Sequence, residues 1–196
     1  SEGYAQVDIG NYNTVNVEGA ISGPITSDVS ARISFKTENH DDWSRNLTYP
    51  KGPGVDNKQT RAARGQVRIE PSSTIEILLA ADYFKQDDRS FPGRVVGTAG
   101  GSVPPGMRFG GQVFGPRSRD VYSDIVPQFR RESYGGSATV NIDLPSDLSL
   151  VSITASRRAN QAVRYDLDGS SQPLFDASSV DRSRQYSEEI RLSQDS

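Results

Sequence analysis

Val29-Ser30-Ala31-Arg32-Ile33-Ser34-Phe35-Lys36 is the stretch that decides the fold. Val29, Ala31, Ile33 and Phe35 alternate with Ser30, Arg32, Ser34 and Lys36, a period of two. Side chains along an extended strand point alternately to its two faces, so this segment has one apolar face and one polar face. A helix would need apolar residues three and four apart, and this stretch does not supply them.

The same period runs outward in both directions. Upstream, Ala5, Val7 and Ile9 alternate with Gln6 and Asp8, and Val15, Val17, Gly19 and Ile21 with Asn16, Glu18, Ala20 and Ser22. Downstream, Ala63, Gly65, Val67 and Ile69 alternate with Arg64, Gln66, Arg68 and Glu70. Ile75, Ile77, Leu79, Ala81 and Tyr83 alternate with Thr74, Glu76, Leu78, Ala80 and Asp82. Ala138, Val140, Ile142 and Leu144 follow, against Ser137, Thr139, Asn141 and Asp143. Val151, Ile153 and Ala155 then stand against Ser152, Thr154 and Ser156, and Ile190 and Leu192 against Glu189, Arg191 and Ser193. Eight strands are predicted, and Leu150 and Glu188 interrupt the pattern in the last two.

Connections alternate in length. Short ones fall at 23–28, 70–73 and 144–147, each with proline fixing φ and Ser or Asp available to bond the local backbone. Longer ones fall at about 41–60, 87–131 and 164–182, while Gly10-Asn11-Tyr12-Asn13 is short. The middle segment is longer than compact soluble domains ordinarily carry. Short turns at one end and long loops at the other is the layout of a bacterial outer-membrane barrel. Strands of such a barrel need about 9–11 residues to cross the bilayer, which 74–83 and 134–144 supply. Tyr83 and Tyr134 sit on the apolar side at the long-loop end, where an aromatic girdle is expected.

Composition narrows the classes. Of 196 residues, 34% are hydrophobic, a low share that suits sheets with one polar face. Net charge is −3, from 22 basic and 25 acidic residues, which argues against a nucleic-acid binder. Absence of cysteine excludes zinc–thiolate sites, disulfides and thiol nucleophiles. No apolar run has the length of a transmembrane helix, and the opening SEGYAQV has no basic leader region.

Several segments resemble TonB-dependent outer-membrane receptors. Glu2-Gly3-Tyr4-Ala5-Gln6-Val7, Gly10-Asn11-Tyr12-Asn13 and Val17-Glu18-Gly19-Ala20-Ile21-Ser22-Gly23-Pro24 resemble that family's first barrel hairpin. Arg64-Gly65-Gln66 before Glu70-Pro71-Ser72 resembles its fourth strand and turn, and Leu150-Val151-Ser152-Ile153-Thr154-Ala155 a later strand. Tyr186-Ser187-Glu188-Glu189-Ile190-Arg191-Leu192-Ser193 is similar to its "SQELRL" type of strand. These segments occur in the family's order and span most of the chain.

The resemblance implies an all-β antiparallel meander of about eight strands, an open curved portion of a 22-stranded transmembrane barrel with a plugged lumen. Residues 1–196 would then be strands one to eight of the barrel domain, without the plug, the TonB box or the C-terminal strands. The end, Leu192-Ser193-Gln194-Asp195-Ser196, lacks the terminal aromatic such barrels carry and is expected to be a truncation. Implied function is energy-coupled import of a scarce nutrient such as a ferric siderophore, in the outer membrane of a Gram-negative bacterium, with no catalysis and no cofactor. Implied partners are outer-membrane lipid and lipopolysaccharide, the TonB system acting through the plug, and a small-molecule ligand, with no nucleic acid.

Candidate residues follow from that frame. Arg108, Arg117 and Arg119 of the long third loop suit an anionic ligand or lipopolysaccharide phosphate, since guanidinium pairs well with both carboxylate and phosphate. Against that stands plain loop solubility, with pairing to Asp120, Asp124 and Glu132. Glu18, Arg32, Arg64, Arg68, Glu76, Asp82, Asn141, Glu189 and Arg191 would line the lumen; in a soluble β protein they would be a solvated face. His40 reads as a polar residue at a strand end rather than a catalytic base. Asp41-Asp42, Asp87-Asp88 and Asp166/Asp168 lack the spacing of a calcium loop. Loop aromatics Trp43, Tyr49, Phe91, Phe109, Phe114 and Tyr122 are expected to pack loops together. Two alternatives remain: a small closed barrel with a structural or adhesion role, and a soluble β-sandwich binding module whose sheets bury their apolar faces together.

Overall fold

A computed structural model describes residues 1–89, 93 and 118–194. Eight strands form one antiparallel sheet in chain order: β1 (Glu2–Gly10), β2 (Thr14–Pro24), β3 (Val29–His40), β4 (Lys58–Ser72), β5 (Ile75–Asp88), β6 (Gln128–Leu144), β7 (Leu148–Asp166) and β8 (Asp176–Gln194). Every strand pairs with its sequence neighbours, and β1 and β8 are edges. The sheet is therefore an open meander with no helix among the described residues. Closure into an eight-stranded barrel is not what the chain does, because β1 and β8 do not pair.

Turn chemistry sets the register. Asn11-Tyr12-Asn13-Thr14 closes β1 onto β2 with Tyr12 and Asn13 both at positive φ, and the Thr14 amide donates to the Asn11 carbonyl at 3.3 Å. Two positive φ values in succession match the right-handed twist of the flanking strands. Ser146 and Asp147 do the same between β6 and β7. Pro71 has no amide to donate, and the β4–β5 register slips there, between Ile69 and Ser72. Strands extend further than the alternation suggests, so the loops at one end shrink to 41–57, 89–127 and 167–175. At the other end the turns are 25–28, 73–74 and 145–147.

Directly opposed residues share a face, so the ladder assigns every side chain. One face carries Val17, Ile33, Val67, Ile77, Val140 and Ile190; the other carries Glu18, Arg32, Arg68, Glu76, Asn141 and Glu189. On β7 the expectation is reversed. Val151 and Ile153 stand opposite Asn141 and Thr139 on the polar face, and Leu148 and Leu150 take the apolar face opposite Leu144 and Ile142. Both faces of the lower half of β7 are apolar, so alternation alone cannot choose. The contacts with Ile142 and Leu192 decide it.

Among the described residues nothing forms a second layer over the apolar face. Ile21, Ile33 and Ile190 are 64%, 61% and 67% exposed. The described residues form one sheet, so a sandwich in which Val17, Ile33, Val67 and Val140 share a dry interior is not present. The apolar band also drifts along the ladder. Following the rungs from Gly19, midway along the β2 band, leads to Arg184 on β8, whereas the β8 band centres near Ile190. That is a slip of about one residue per strand, the stagger of strands tilted roughly 35–45° to the band.

Candidate functional site: the polar face and its loop rim

The polar face holds a ladder of charges supplied by alternate residues of neighbouring strands. Lys36 on β3 reaches Glu18 at 3.6 Å and Glu38 at 3.0 Å, and Lys58 on β4 reaches Glu38 at 3.3 Å. Arg68 pairs with Glu70 at 3.0 Å and with Glu76, whose other oxygen accepts from the Asn141 amide at 3.0 Å. Arg32 lies 3.9 Å from Glu2, and Arg191 pairs with Glu189 along the same strand. Arg157 on β7 reaches across β6 to Asp82 on β5, passing Gly135, which stands in register between them. A Cβ at Gly135 would lie 2.7 Å from the Ser156 carbonyl oxygen, so the close approach of these strands needs glycine.

All nine residues expected to line a lumen, Glu18, Arg32, Arg64, Arg68, Glu76, Asp82, Asn141, Glu189 and Arg191, fall on this one face. Arg64 lies opposite Asp82 in the ladder, but the ion pair to that carboxylate comes from Arg157. Arg157 escapes sequence reading because the β7 alternation points the wrong way. Leu78 and Ala80 on β5 and Val151, Ile153 and Ala155 on β7 are apolar residues within the same face, on either side of Ser137 and Thr139 of β6. Several surface hollows open on this side, while another, among Lys85, Arg130, Glu132, Asn160, Arg182 and Arg184, opens on the apolar side. On the polar face, one of about 430 Å³ is lined by Tyr4, Glu18, Lys36, Arg64, Asp82 and Arg157.

Above the sheet, at the long-loop end, residues 41–57 and 118–127 lock together. Asn46 is buried; its amide donates to the Ser123 carbonyl at 2.8 Å while its oxygen accepts from the Ser123 amide at 3.2 Å. Val55, Val121 and Ile125 are buried with it. Arg45 grips Asp120 with two hydrogen bonds of 2.8 Å, and the Tyr49 hydroxyl donates to the Asp124 carbonyl at 2.8 Å. That guanidinium holds the Asp120 carboxyl below its ordinary value. Burial raises the Asp124 carboxyl, with Asp168 and Asp176 nearby adding to the rise. The buried apolar residues of the described chain outside the sheet are here, in a loop clasp joining segments some 75 positions apart.

Arg119 belongs to this rim. Its guanidinium donates to the Tyr12 hydroxyl at 3.1 Å and lies 5.6 Å and 5.8 Å from the Tyr12 and Trp43 ring centres. Trp43 stacks on His40 at 4.3 Å, and the His40 Nδ1 donates to the Asp41 carbonyl. His40 thus closes β3 against a tryptophan. Arg108, Arg117, Phe91, Phe109 and Phe114 lie outside the described residues.

The acidic pairs act as loop fasteners. Asp42 accepts from the Gly54 amide and from Arg89, Asp87 pairs with Arg130, and Asp88 accepts from the Gln59 amide. Asp166 and Asp168 cap the amides of 168–170 and 175. Among the described residues no three acidic or histidine side chains converge as a metal site.

Comparison with protein-family models, with curated proteins and with solved structures finds no match. The functional reading therefore rests on the geometry of this chain for a one-sided sheet, and on the sequence resemblance for the receptor family.

Proposed function

We propose that the chain forms consecutive strands of an outer-membrane β-barrel, the opening part of a 22-stranded TonB-dependent receptor in a Gram-negative bacterium. The observation that carries the reading is the uncovered apolar band, staggered by about one residue per strand on a sheet whose opposite face is charged. In water such a band is a liability, because large contiguous apolar patches drive association. Against hydrocarbon it is the required surface, provided that every backbone group is paired, which a closed barrel alone achieves.

On this reading β1 and β8 meet further strands of the same barrel. The polar face, with Glu18, Arg32, Arg64, Arg68, Glu76, Asn141, Glu189 and Arg191, lines the lumen and bonds water and a plug domain. The long-loop end faces outward, and Arg108, Arg117 and Arg119 meet an anionic ligand there, such as a ferric siderophore. Transport is driven through the TonB system by movement of the plug, and the strands themselves perform no catalysis. The test is a matched pair in the full-length protein. Val140→Arg places a charge on the apolar face and should cost roughly 2–4 kcal/mol of membrane stability, whereas Asn141→Arg should be mild. Equal tolerance of both, scored by heat-modifiable gel mobility of the outer-membrane fraction, would remove the bilayer surface from the account.

A further inference from the structure

Four aspartates face one another where the loop end of β7 and β8 meets the clasp. Asp166 and Asp176 form the last rung of that strand pair, far beyond the Ser156–Tyr186 rung and clear of the apolar band. Carboxylates directly opposed in a ladder repel. Asp168 follows in the β7–β8 loop. Asp124 approaches from the clasp, near enough to Asp166, Asp168 and Asp176 for the charges to act on one another. Among the described residues the cation facing this group is Arg164, which is 3.2 Å from Asp176.

Asp166 is the member that ordinary pairing leaves unexplained. It is 2% exposed, and one of its oxygens accepts from the amides of Asp168 and Gly169 at 2.8 and 3.1 Å. The other, Oδ2, is buried with no hydrogen-bond partner among the described residues. Buried polar atoms are almost always bonded, and a buried carboxylate among other carboxylates is costly unless its charge is removed. A chelated cation would remove it, but no three acidic side chains converge here among the described residues. A proton needs no chelate and reaches a buried atom. Burial raises the carboxyls of Asp166 and Asp124 above their ordinary value, and the neighbouring carboxylates add to the rise.

We propose that the junction between the β7–β8 loop and the clasp is a proton-operated latch, in which Asp166 and Asp124 are neutral while the two segments are engaged and ionise as they part. Asp124 is tied to the clasp by the Tyr49 hydroxyl on its carbonyl, and Asp166 to the β7–β8 loop by the amides it binds. Charging both therefore sets repulsion across the junction and not within either segment. The engaged form holds more protons than the parted form. Closure strengthens as pH falls through the raised values and is constant below the ordinary carboxylate value of about 4. The latch holds whatever surface the apolar band meets.

The test uses the full-length protein in detergent with a chelator present. Val126→Cys and Leu174→Cys, at exposed positions on the two segments, carry spin labels, and the distance between them is followed from about pH 8 to about pH 4.5. It should be long and broadly distributed in alkali, and short and narrow in acid. Asp124→Asn/Asp166→Asn should keep the short distance throughout. Arg164→Gln removes the facing cation and should move the midpoint up by about one pH unit, a shift that a merely structural arginine would not give. Should the double variant fail to assemble, the unaltered protein and Arg164→Gln still decide. A distance that ignores pH or lengthens in acid would overturn the latch, as would an unmoved midpoint in Arg164→Gln. Shortening by added calcium in alkali without chelator, with no response to acid, would put a cation where protons are placed here and overturn it as well.

Discussion

Glu188 is the residue that sits worst with the rest of its face. It stands opposite Thr154 on the apolar side, between Tyr186 and Ile190, and its carboxylate accepts from the Tyr186 hydroxyl at 3.4 Å. If that face meets hydrocarbon, Glu188→Leu should stabilise the inserted protein by about 1–2 kcal/mol, less than the cost of a basic residue at midplane. Urea unfolding from lipid vesicles measures this, and a loss of stability would mean that the face is wet at this level. At the loop rim, Arg45 and Asp120 predict a pH dependence. Asp120 titrates below its unfolded value because Arg45 binds the charged form. The stabilisation is therefore complete above the unfolded carboxylate range near 4 and is lost as pH falls through the lowered folded value. Arg45→Gln should loosen the clasp at neutral pH, seen as faster amide exchange at Leu47 and Val121. Its difference from the unaltered protein should vanish in acid. Asp124, raised by burial, works in the opposite sense, favouring the clasp as pH drops, so the comparison between variants isolates the Arg45–Asp120 pair.

Among the elements, β7 separates what alternation can settle from what pairing must. The strands β2 to β6 are legible because apolar and polar residues exchange every position, as in Val29 to Lys36, and the turns announce themselves in Pro145-Ser146-Asp147 and Glu70-Pro71-Ser72. In Leu148-Ser149-Leu150-Val151-Ser152-Ile153 the alternation breaks between Leu150 and Val151, and either face qualifies. A slip of one residue inverts every side chain, so only the neighbours fix the choice. Leu150→Asp should therefore damage membrane stability more than Val151→Asp, measured by the same vesicle unfolding, and the reverse order would restore the alternation-based facing. Of the loop clasp, the packing of loop aromatics such as Tyr49 was legible, but its buried centre was not. Asn46 and Ser123 are 77 positions apart, and nothing in either segment announces the other. Of the candidate site, the polar-face residues were legible because they alternate. Arg157 was not, and neither was the role of Arg119 against Tyr12 and Trp43, which depends on loop geometry.

At the scale of the molecule, the described residues form eight strands in sequence order, with two unpaired edges and no shared apolar core under the sheet among them. Strands β7 and β8 run to 19 residues each, roughly 60 Å, more than a tilted bilayer crossing needs, so they project past the apolar band toward the loops. The chain has no cysteine, which permits single thiols to be placed at will. The most direct measurement puts one cysteine at a time at Ala138, Thr139, Val140 and Asn141 in the membrane-inserted full-length protein. A label at each position is then exposed to a water-soluble and to a lipid-borne quencher. Labels at Thr139 and Asn141 should be quenched from water, and labels at Ala138 and Val140 from lipid. Quenching of all four from water, with none from lipid, would contradict the account.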